Sequence, residues 1–109
     1  MKHVYVAGPM SKGPLIDHVR HALAAADRII AAGGAPYLPQ LSVFHELVSP
    51  HEYETWLELD FAWIERCDAL LRLAGESMGA DREVKHARSI GKQVFLDVAA
   101  LLAWLEEAA

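Results

Sequence analysis

Residues 68–89 read DALLRLAGESMGADREVKHARS, and this stretch decides the fold. Asp68 to Ala74 is a mostly apolar run of strand length, and Ser77 to Ser89 returns to helical spacing after Gly75. The apolar positions of the helical part are Ala80, Val84 and Ala87. The stretch therefore predicts a buried β-strand that leads through a short turn into an amphipathic helix, which is the repeating unit of an α/β fold.

Three further runs of strand length flank this unit, namely His3–Ala7, Ala35–Pro39 and Gln93–Leu96. The second run contains two prolines, which cannot donate ladder hydrogen bonds, so we predict a short strand at an edge of the sheet. Helices are predicted after the first run and after the last, where Asp97 caps a helix over Val98–Leu105. The apolar positions of the helix after the first run are Leu15, Val19, Leu23, Ala26 and Ile30.

A further helix is predicted between the second run and residue 68. Ser49-Pro50-His51-Glu52 has the Ser-x-x-Glu form of a capping box with proline at the first helical position. This helix is expected to reach Arg66, and residues 40–48 before it are predicted to form an irregular loop.

Strands that alternate with helices predict a doubly wound α/β fold, flavodoxin-like or Rossmann-like, with helices on both faces of a mostly parallel four-stranded sheet. We choose the strand order 2-1-3-4 because it puts the proline-bearing strand at an edge. In this order the gap between strands one and three is the topological switch point, where ligands of such sheets bind.

The composition limits the possible partners. With 109 residues, 53% hydrophobic and 23% charged, the chain is predicted to be a single domain over residues 1–109. A formal net charge of -5 argues against polymeric nucleic acid, whose partners carry a basic face. No apolar run approaches the roughly 20 residues that a bilayer requires and no signal peptide is recognisable, so we expect no membrane partner and a cytoplasmic location. The single cysteine, Cys67, is interpreted as structural.

Two loops border the predicted switch point. The first loop lacks the Lys and Ser or Thr that a Walker A loop needs after its second glycine, and a plain turn explains it as well as an anion site does. Its candidate donors to an anion are Gly8, Ser11, Lys12 and Gly13. In the second loop, Ser77 and Gly79 lie at the start of a helix, where free N–H groups and the helix dipole suit a phosphate. Ser77 as a simple helix cap is a compatible alternative.

Two carboxylates occupy informative positions in the predicted helices. Glu83 lies about one turn into its helix, beside the apolar stripe, although the helix dipole favours an acidic residue there in any case. Asp60 falls within the predicted inward stripe of the preceding helix, and a buried carboxylate needs a partner or a function. The other members of that stripe are Tyr53, Leu57, Phe61 and Ile64.

A second apolar patch on the same helix contains Trp56, Leu59 and Trp63. This patch predicts either a homo-oligomer interface or a segment before Pro50 that folds back over it. Two histidine pairs, His18 with His21 and His45 with His51, could each supply two metal ligands. No metal signature accompanies them, so we expect neither a metal nor a cofactor.

Four pieces of the chain occur in the order Tyr5-Val6-Ala7-Gly8-Pro9-Met10, Asp60, Cys67-Asp68-Ala69 and Ser77-Met78-Gly79-Ala80-Asp81-Arg82-Glu83. Together they resemble the nucleoside 2-deoxyribosyltransferase-like superfamily over roughly residues 2 to 97. This superfamily includes the deoxyribosyltransferases, the 2'-deoxynucleoside 5'-phosphate N-hydrolases, and small bacterial and phage proteins, to which the Gly-Pro-Met opening looks closest.

The resemblance implies roles for individual residues. Glu83 matches the nucleophile that attacks the anomeric carbon, Asp60 the acid that assists at the sugar and leaving base, and Tyr5 the residue that sets the nucleophile. The transferases have Asp at the position of Ser77, whereas the nucleotide hydrolases have a phosphate-contacting Ser, which implies a 5'-phosphorylated substrate. Asp81 and Arg82 depart from the small or apolar residues usual there.

The sequence therefore predicts an N-glycosidase that cleaves the base from a (deoxy)nucleoside 5'-monophosphate, with a small-molecule nucleotide or nucleoside as its partner. A nucleoside deoxyribosyltransferase is the close variant. A non-catalytic nucleotide-binding module that keeps the crevice, and an oligomeric structural protein that uses the Trp56 and Trp63 face, remain as alternatives.

Overall fold

The computed structural model describes residues 1–108, and a sheet of four parallel strands forms its centre. The strands are β1 (His3–Ala7), β2 (Ala35–Tyr37), β3 (Ala69–Arg72) and β4 (Gln93–Phe95). Their order across the sheet is β2-β1-β3-β4, and every neighbouring pair is parallel. The predicted α/β class, the strand order and the edge position of the proline-bearing strand are confirmed.

Five α-helices surround the sheet in the described residues. They are α1 (Leu15–Ala31), α2 (Val43–Val48), α3 (Tyr53–Arg66), α4 (Met78–Ser89) and α5 (Val98–Ala108). None of the helices within residues 1–108 combines the length and the apolar character needed to cross a membrane.

Side chains that alternate along β1 divide the core between the two faces of the sheet. Val4 and Val6 pack with buried residues of α1 and α5, whereas Tyr5 and Ala7 pack with buried residues of α3 and α4. Helices therefore cover both faces, as predicted. Cys67 packs in the same cluster as Tyr5 and Ala7 and is 5% exposed, which agrees with its interpretation as a structural residue.

The segment that follows β2 is more regular than the sequence indicated. A 3₁₀ turn over Pro39–Ser42 leads into α2, so the prediction of an irregular loop over residues 40–48 was wrong. The predicted capping box was also wrong. Ser49 closes α2 through a 2.7 Å hydrogen bond from its N–H to the His45 carbonyl, and α3 begins only at Tyr53. Pro50 disfavours the helical conformation at Ser49, which ends α2 there, and Glu52 instead of Ser49 precedes the first turn of α3.

The predicted inward face of α1 was wrong, because the helix is rotated about its axis relative to the prediction. Leu15, Leu23 and Ile30 are 42%, 41% and 59% exposed. The buried residues of this helix are Ala22, Ala25, Ala26 and Ile29. Small side chains let a helix lie close to a sheet, so the alanines face inward and the bulkier residues stay outside. Tyr53 of α3, also predicted to face inward, is 53% exposed.

Candidate active site

Three residues predicted to act together meet on the α3–α4 side of the sheet. The Tyr5 hydroxyl donates a hydrogen bond to Glu83 Oε2, although the two residues are 78 positions apart in sequence. Tyr5 is fully buried and Glu83 is 5% exposed. Asp60, on α3, is half-buried, and its charge raises the pKa of both of them. A buried tyrosine and two carboxyls therefore form one polar cluster inside an apolar core.

Local packing explains why these side chains converge. Tyr5 occupies an inward position of β1 toward α4, where Ala80 and Ala87 are buried in the same cluster. Their small side chains allow α4 to approach the sheet closely. Glu83 lies between these two alanines on the helix, so its carboxyl is carried to the Tyr5 hydroxyl.

Burial dominates the electrostatics of the cluster. It raises the pKa of Glu83 to about 8, the hydrogen bond from Tyr5 lowers it, and the Asp60 charge raises it further. Burial also raises the pKa of Asp60 to about 6, against the effect of its contacts with Glu83 and Tyr5. The pKa of Tyr5 is raised by burial and by the Glu83 charge, so its hydroxyl stays a neutral donor. The two carboxyls thus titrate as a pair and share one proton near neutral pH.

The loops after β1 and β3 lie against each other, as the predicted switch point requires. At Gly75, which has a φ of +120°, an added Cβ would meet Pro9 Cγ at 2.7 Å. Lys12 Nζ forms an ion pair of 2.7 Å with Glu76 Oε1 across the two loops. The loop after β1 also approaches the end of β3 closely at Gly8, where an added Cβ would lie 3.2 Å from Leu73 Cβ.

The residues predicted to bind a phosphate lie in two places, at the start of α4 and on the exposed first loop. Ser77 caps α4, since its Oγ accepts the Ala80 N–H at 3.1 Å, and its own hydroxyl hydrogen has no acceptor within residues 1–108. Gly79 lies in the first turn of α4. Ser11 and Gly13 are on the exposed outer part of the first loop, where no hydrogen bond between described residues joins them to Ser77 or Glu83.

Sequence reasoning missed Gln40, which is 1% exposed and lies beside Gly8. Its Nε2 donates to the Val6 carbonyl at 3.1 Å, whereas its Oε1 is buried without a hydrogen-bond partner among the described residues. The sequence feature that could have pointed to Gln40 is its position directly after the prolines of the edge strand, in the segment interpreted as a loop.

Arg72 was also missed, because it occurs inside an otherwise apolar strand. Its side chain is 13% exposed. The guanidinium donates to the Leu73 carbonyl, to the Gly75 carbonyl at 2.9 Å and to Asp81 Oδ1 at 3.0 Å. A charged residue at the carboxyl end of a buried strand was the available signal.

An aromatic cleft of about 580 Å³ opens beside Asp60, at the β2 edge of the sheet. The residues that define it are Tyr37, Leu41, His45, Trp56, Asp60 and Trp63. The rings of Tyr5, Tyr37 and Trp63 stack in series, with centroids 5.5 and 5.0 Å apart. The cleft therefore places Asp60 between the buried pair and a set of aromatic rings.

The Trp56, Leu59 and Trp63 patch is partly covered by α2. Trp56 Nε1 donates to Glu46 Oε2 at 2.8 Å, and the His45 ring lies 5.0 Å from the Trp56 ring. This matches the alternative in which the preceding segment folds back. Leu59 and Trp63 are each 47% exposed, and an oligomer interface there remains a prediction.

The histidine pairs differ in the structure. His45 and His51 lie together, with ring centroids 5.3 Å apart, whereas the His18 ring contacts the Lys12 carbonyl. Within residues 1–108, no group of three or more His, Cys, Asp or Glu side chains is arranged to hold a metal ion.

The sheet order and the helices on both faces define an α/β protein with the nucleoside 2-deoxyribosyltransferase-like fold. A 2-desoxiribosyltransferase from Leishmania mexicana superposes with a TM-score of 0.66 and 17% identity, covering 86% of this chain and 62% of that one. A 2-deoxyribosyltransferase from Bacillus psychrosaccharolyticus gives a TM-score of 0.68 and 19% identity, covering 84% and 69%. The chain belongs to the family described as domain of unknown function DUF4406, which matches residues 2–96.

The predicted superfamily resemblance is therefore confirmed at the level of the fold. This chain spans about three fifths of the length of the Leishmania mexicana protein, 62%. No curated protein matches its sequence.

Proposed function

We propose that the protein is an N-glycosidase that cleaves the base from a (deoxy)nucleoside 5'-monophosphate. The observation that carries this proposal is the buried hydrogen bond from Tyr5 to Glu83, with Asp60 beside it at the switch point. Carboxyls with raised pKa values in a crevice are typical of acid–base and nucleophilic sites. The 2-deoxyribosyltransferases with the same fold add support for chemistry at a nucleoside.

In the proposed first step the pair reacts with its single proton on Asp60. This is the less populated of the two arrangements, because burial raises the pKa of Glu83 to about 8 and that of Asp60 only to about 6. Ionised Glu83 then attacks the anomeric carbon of the sugar. The bond between that carbon and the base nitrogen breaks, its electron pair goes to the base, and protonated Asp60 supplies the proton. Tyr5 holds Glu83 Oε2, which leaves Oε1 to attack. In the second step water attacks the anomeric carbon and Asp60 takes its proton. The bond from that carbon to Glu83 breaks, which restores the Glu83 carboxylate and releases the sugar phosphate.

The surroundings of the cluster suit the two ends of such a substrate. The aromatic cleft beside Asp60 offers flat rings that can stack on a base. The Ser77 hydroxyl and the first turn of α4 offer donors for a phosphate. The substrate would thus span the crevice from the cleft to the start of α4.

Transfer of the sugar to a second base is the second candidate function. Two solved structures with this fold are described as 2-deoxyribosyltransferases, and the cleft is open to solvent on one side. In this variant a base nitrogen replaces water in the second step, and the chemistry at Glu83 and Asp60 is otherwise the same.

Chromatography of free base released from ribo- and deoxyribonucleoside 5'-monophosphates and their nucleosides tests the proposal. Each substrate is incubated with wild type or Glu83→Ala, with and without a second base. We expect release that requires the 5'-phosphate and disappears in Glu83→Ala. Turnover only when a second base is present would favour transfer. Nucleotide binding without turnover in either condition would contradict the proposal and favour a binding module.

Ser77→Asp should separate phosphate recognition from chemistry. Aspartate still caps α4, but its charge repels the 5'-phosphate. We expect kcat/KM for the monophosphate to fall about 100-fold while any activity on the matching nucleoside stays within about threefold. Ser77→Thr, which keeps both the cap and the hydroxyl, is the control. An equal loss on both substrates would show that Ser77 does not contact the phosphate.

A further inference from the structure

Arg72 is a nearly buried cation that the proposed chemistry does not use. It ends β3, and its side chain is only 13% exposed. Side chains of this kind are rarely buried without a specific set of partners. Two of its three acceptors are carbonyl oxygens of the loop that leads into α4, those of Leu73 and Gly75, and the third is Asp81 on α4 itself.

We propose that Arg72 is a positioning residue that braces the β3–α4 loop and so fixes the position of α4 and of its Glu83. This inference rests on the proposed function. The guanidinium fork ties the loop to the first turn of α4, the turn that contains Ser77 and Gly79. Since α4 also carries Glu83, the same contacts set where the nucleophile lies relative to the sheet.

The loop depends on such a brace because its backbone is unusual. Gly75 has a φ of +120°, a conformation that only glycine adopts readily, and it packs directly against Pro9. Donation by Arg72 to the Gly75 carbonyl holds this conformation from the other side. A lysine has a point charge and no fork, so it cannot bond both loop carbonyls and Asp81 in the same way.

The charge of Arg72 has a second effect. Groups from four strands and helices face the cluster: Tyr5 from β1, Tyr37 from β2, Asp60 from α3 and Arg72 from β3. Among them, Arg72 is the positive group, and it lowers the pKa of Glu83 against the effects of burial and of Asp60. Ionised Glu83 is the form that attacks the sugar in the proposed mechanism.

Two measurements on Arg72→Met and Arg72→Lys test this role. The first is the titration of the Glu83 side-chain carboxyl followed by ¹³C NMR, and the second is the pH profile of kcat/KM. The matched control is Arg82→Met, because Arg82 is an arginine of the first half of α4 that pairs with the exposed Glu54 at 2.9 Å. All variants are first compared with wild type by circular dichroism.

In Arg72→Met we expect the Glu83 titration and the alkaline limb of kcat/KM to move up by about one pH unit. In Arg72→Lys, Glu83 should titrate at nearly the wild-type pH, because the positive charge remains. Its kcat/KM should fall about tenfold, because the loop contacts are lost. Arg82→Met should match wild type in both. An unchanged Glu83 titration in Arg72→Met, or an equal shift in Arg82→Met, would overturn the inference. If wild type releases no base, the proposed function fails, and the titration still decides the role of Arg72.

Discussion

Glu83→Gln is expected to slow base release by about 1,000-fold or more and at the same time to stabilise the protein above neutral pH. Glutamine keeps the size of the side chain and can still accept the hydrogen bond from the Tyr5 hydroxyl. It cannot form the ester with the sugar, so the covalent route is lost. The rate is measured by chromatography of released base under single-turnover conditions.

The stability gain follows from the pKa of Glu83. Burial raises that pKa from its ordinary value of 4.5 to about 8. Between these values the folded state holds a proton that the unfolded state has released, so the free energy of unfolding falls as pH rises through this window. Glutamine carries no such charge, and we expect a gain of about 1 to 3 kcal/mol near pH 8, seen as a melting temperature several degrees higher.

Calorimetric melts near pH 5 and near pH 8 measure this effect. The gain should be small at the lower pH, where Glu83 is protonated in the wild type. Glu58→Gln, an equal change at an exposed position of α3, should leave both the melts and the rate unchanged. If Glu83→Gln melts like wild type near pH 8, burial of the Glu83 charge does not lower the free energy of unfolding. Full activity in this variant would exclude Glu83 as the nucleophile.

Asp60→Asn is expected to lower kcat/KM by about 100-fold or more near neutral pH, because the leaving base loses its proton donor. Wild type should show a bell-shaped pH profile, since the pair is active with one proton and its pKa values are raised to about 6 and about 8. In Asp60→Asn one carboxyl is removed, so the alkaline limb of the kcat/KM profile should disappear. A single ascending limb should remain below about pH 8, because the charge of Asp60 no longer raises the pKa of Glu83.

A synthetic substrate with a nitrophenolate leaving group gives the sharpest control. This group leaves without protonation, so the loss caused by Asp60→Asn should shrink to about tenfold or less if Asp60 acts as the acid. Glu65→Gln, on the same helix but half-exposed and paired with His86, should not change the profile. An equal loss on both substrates would assign Asp60 a structural role instead.

The regular parts of this protein could be predicted from local patterns. The apolar strand Asp68–Ala74, the helix that follows it and the two prolines near Ala35 were sufficient for the parallel sheet and its order. Asp60 and Glu83 could be identified as unusual because a carboxylate within or beside an apolar stripe conflicts with the hydrophobic pattern. The resemblance to the deoxyribosyltransferase-like superfamily then linked them to Tyr5.

Contacts between distant segments could not be predicted in this way. The choice of alanines for the inner face of α1 depends on how closely that helix approaches Val4 and Val6. The helix over Val43–Val48 and the failure of the capping box at Ser49 depend on where the chain turns to cover Trp56.

The sequence alone determined the α/β fold and marked Asp60 and Glu83 as unusual carboxylates, because periodicity and residue type are local properties. The tertiary structure alone decided that the Tyr5 hydroxyl meets Glu83, that Gln40 is buried beside Gly8, and that Arg72 holds the loop before α4. Hydrogen bonds and pKa values depend on distance and burial, and these arise only when residues far apart in the chain are packed together.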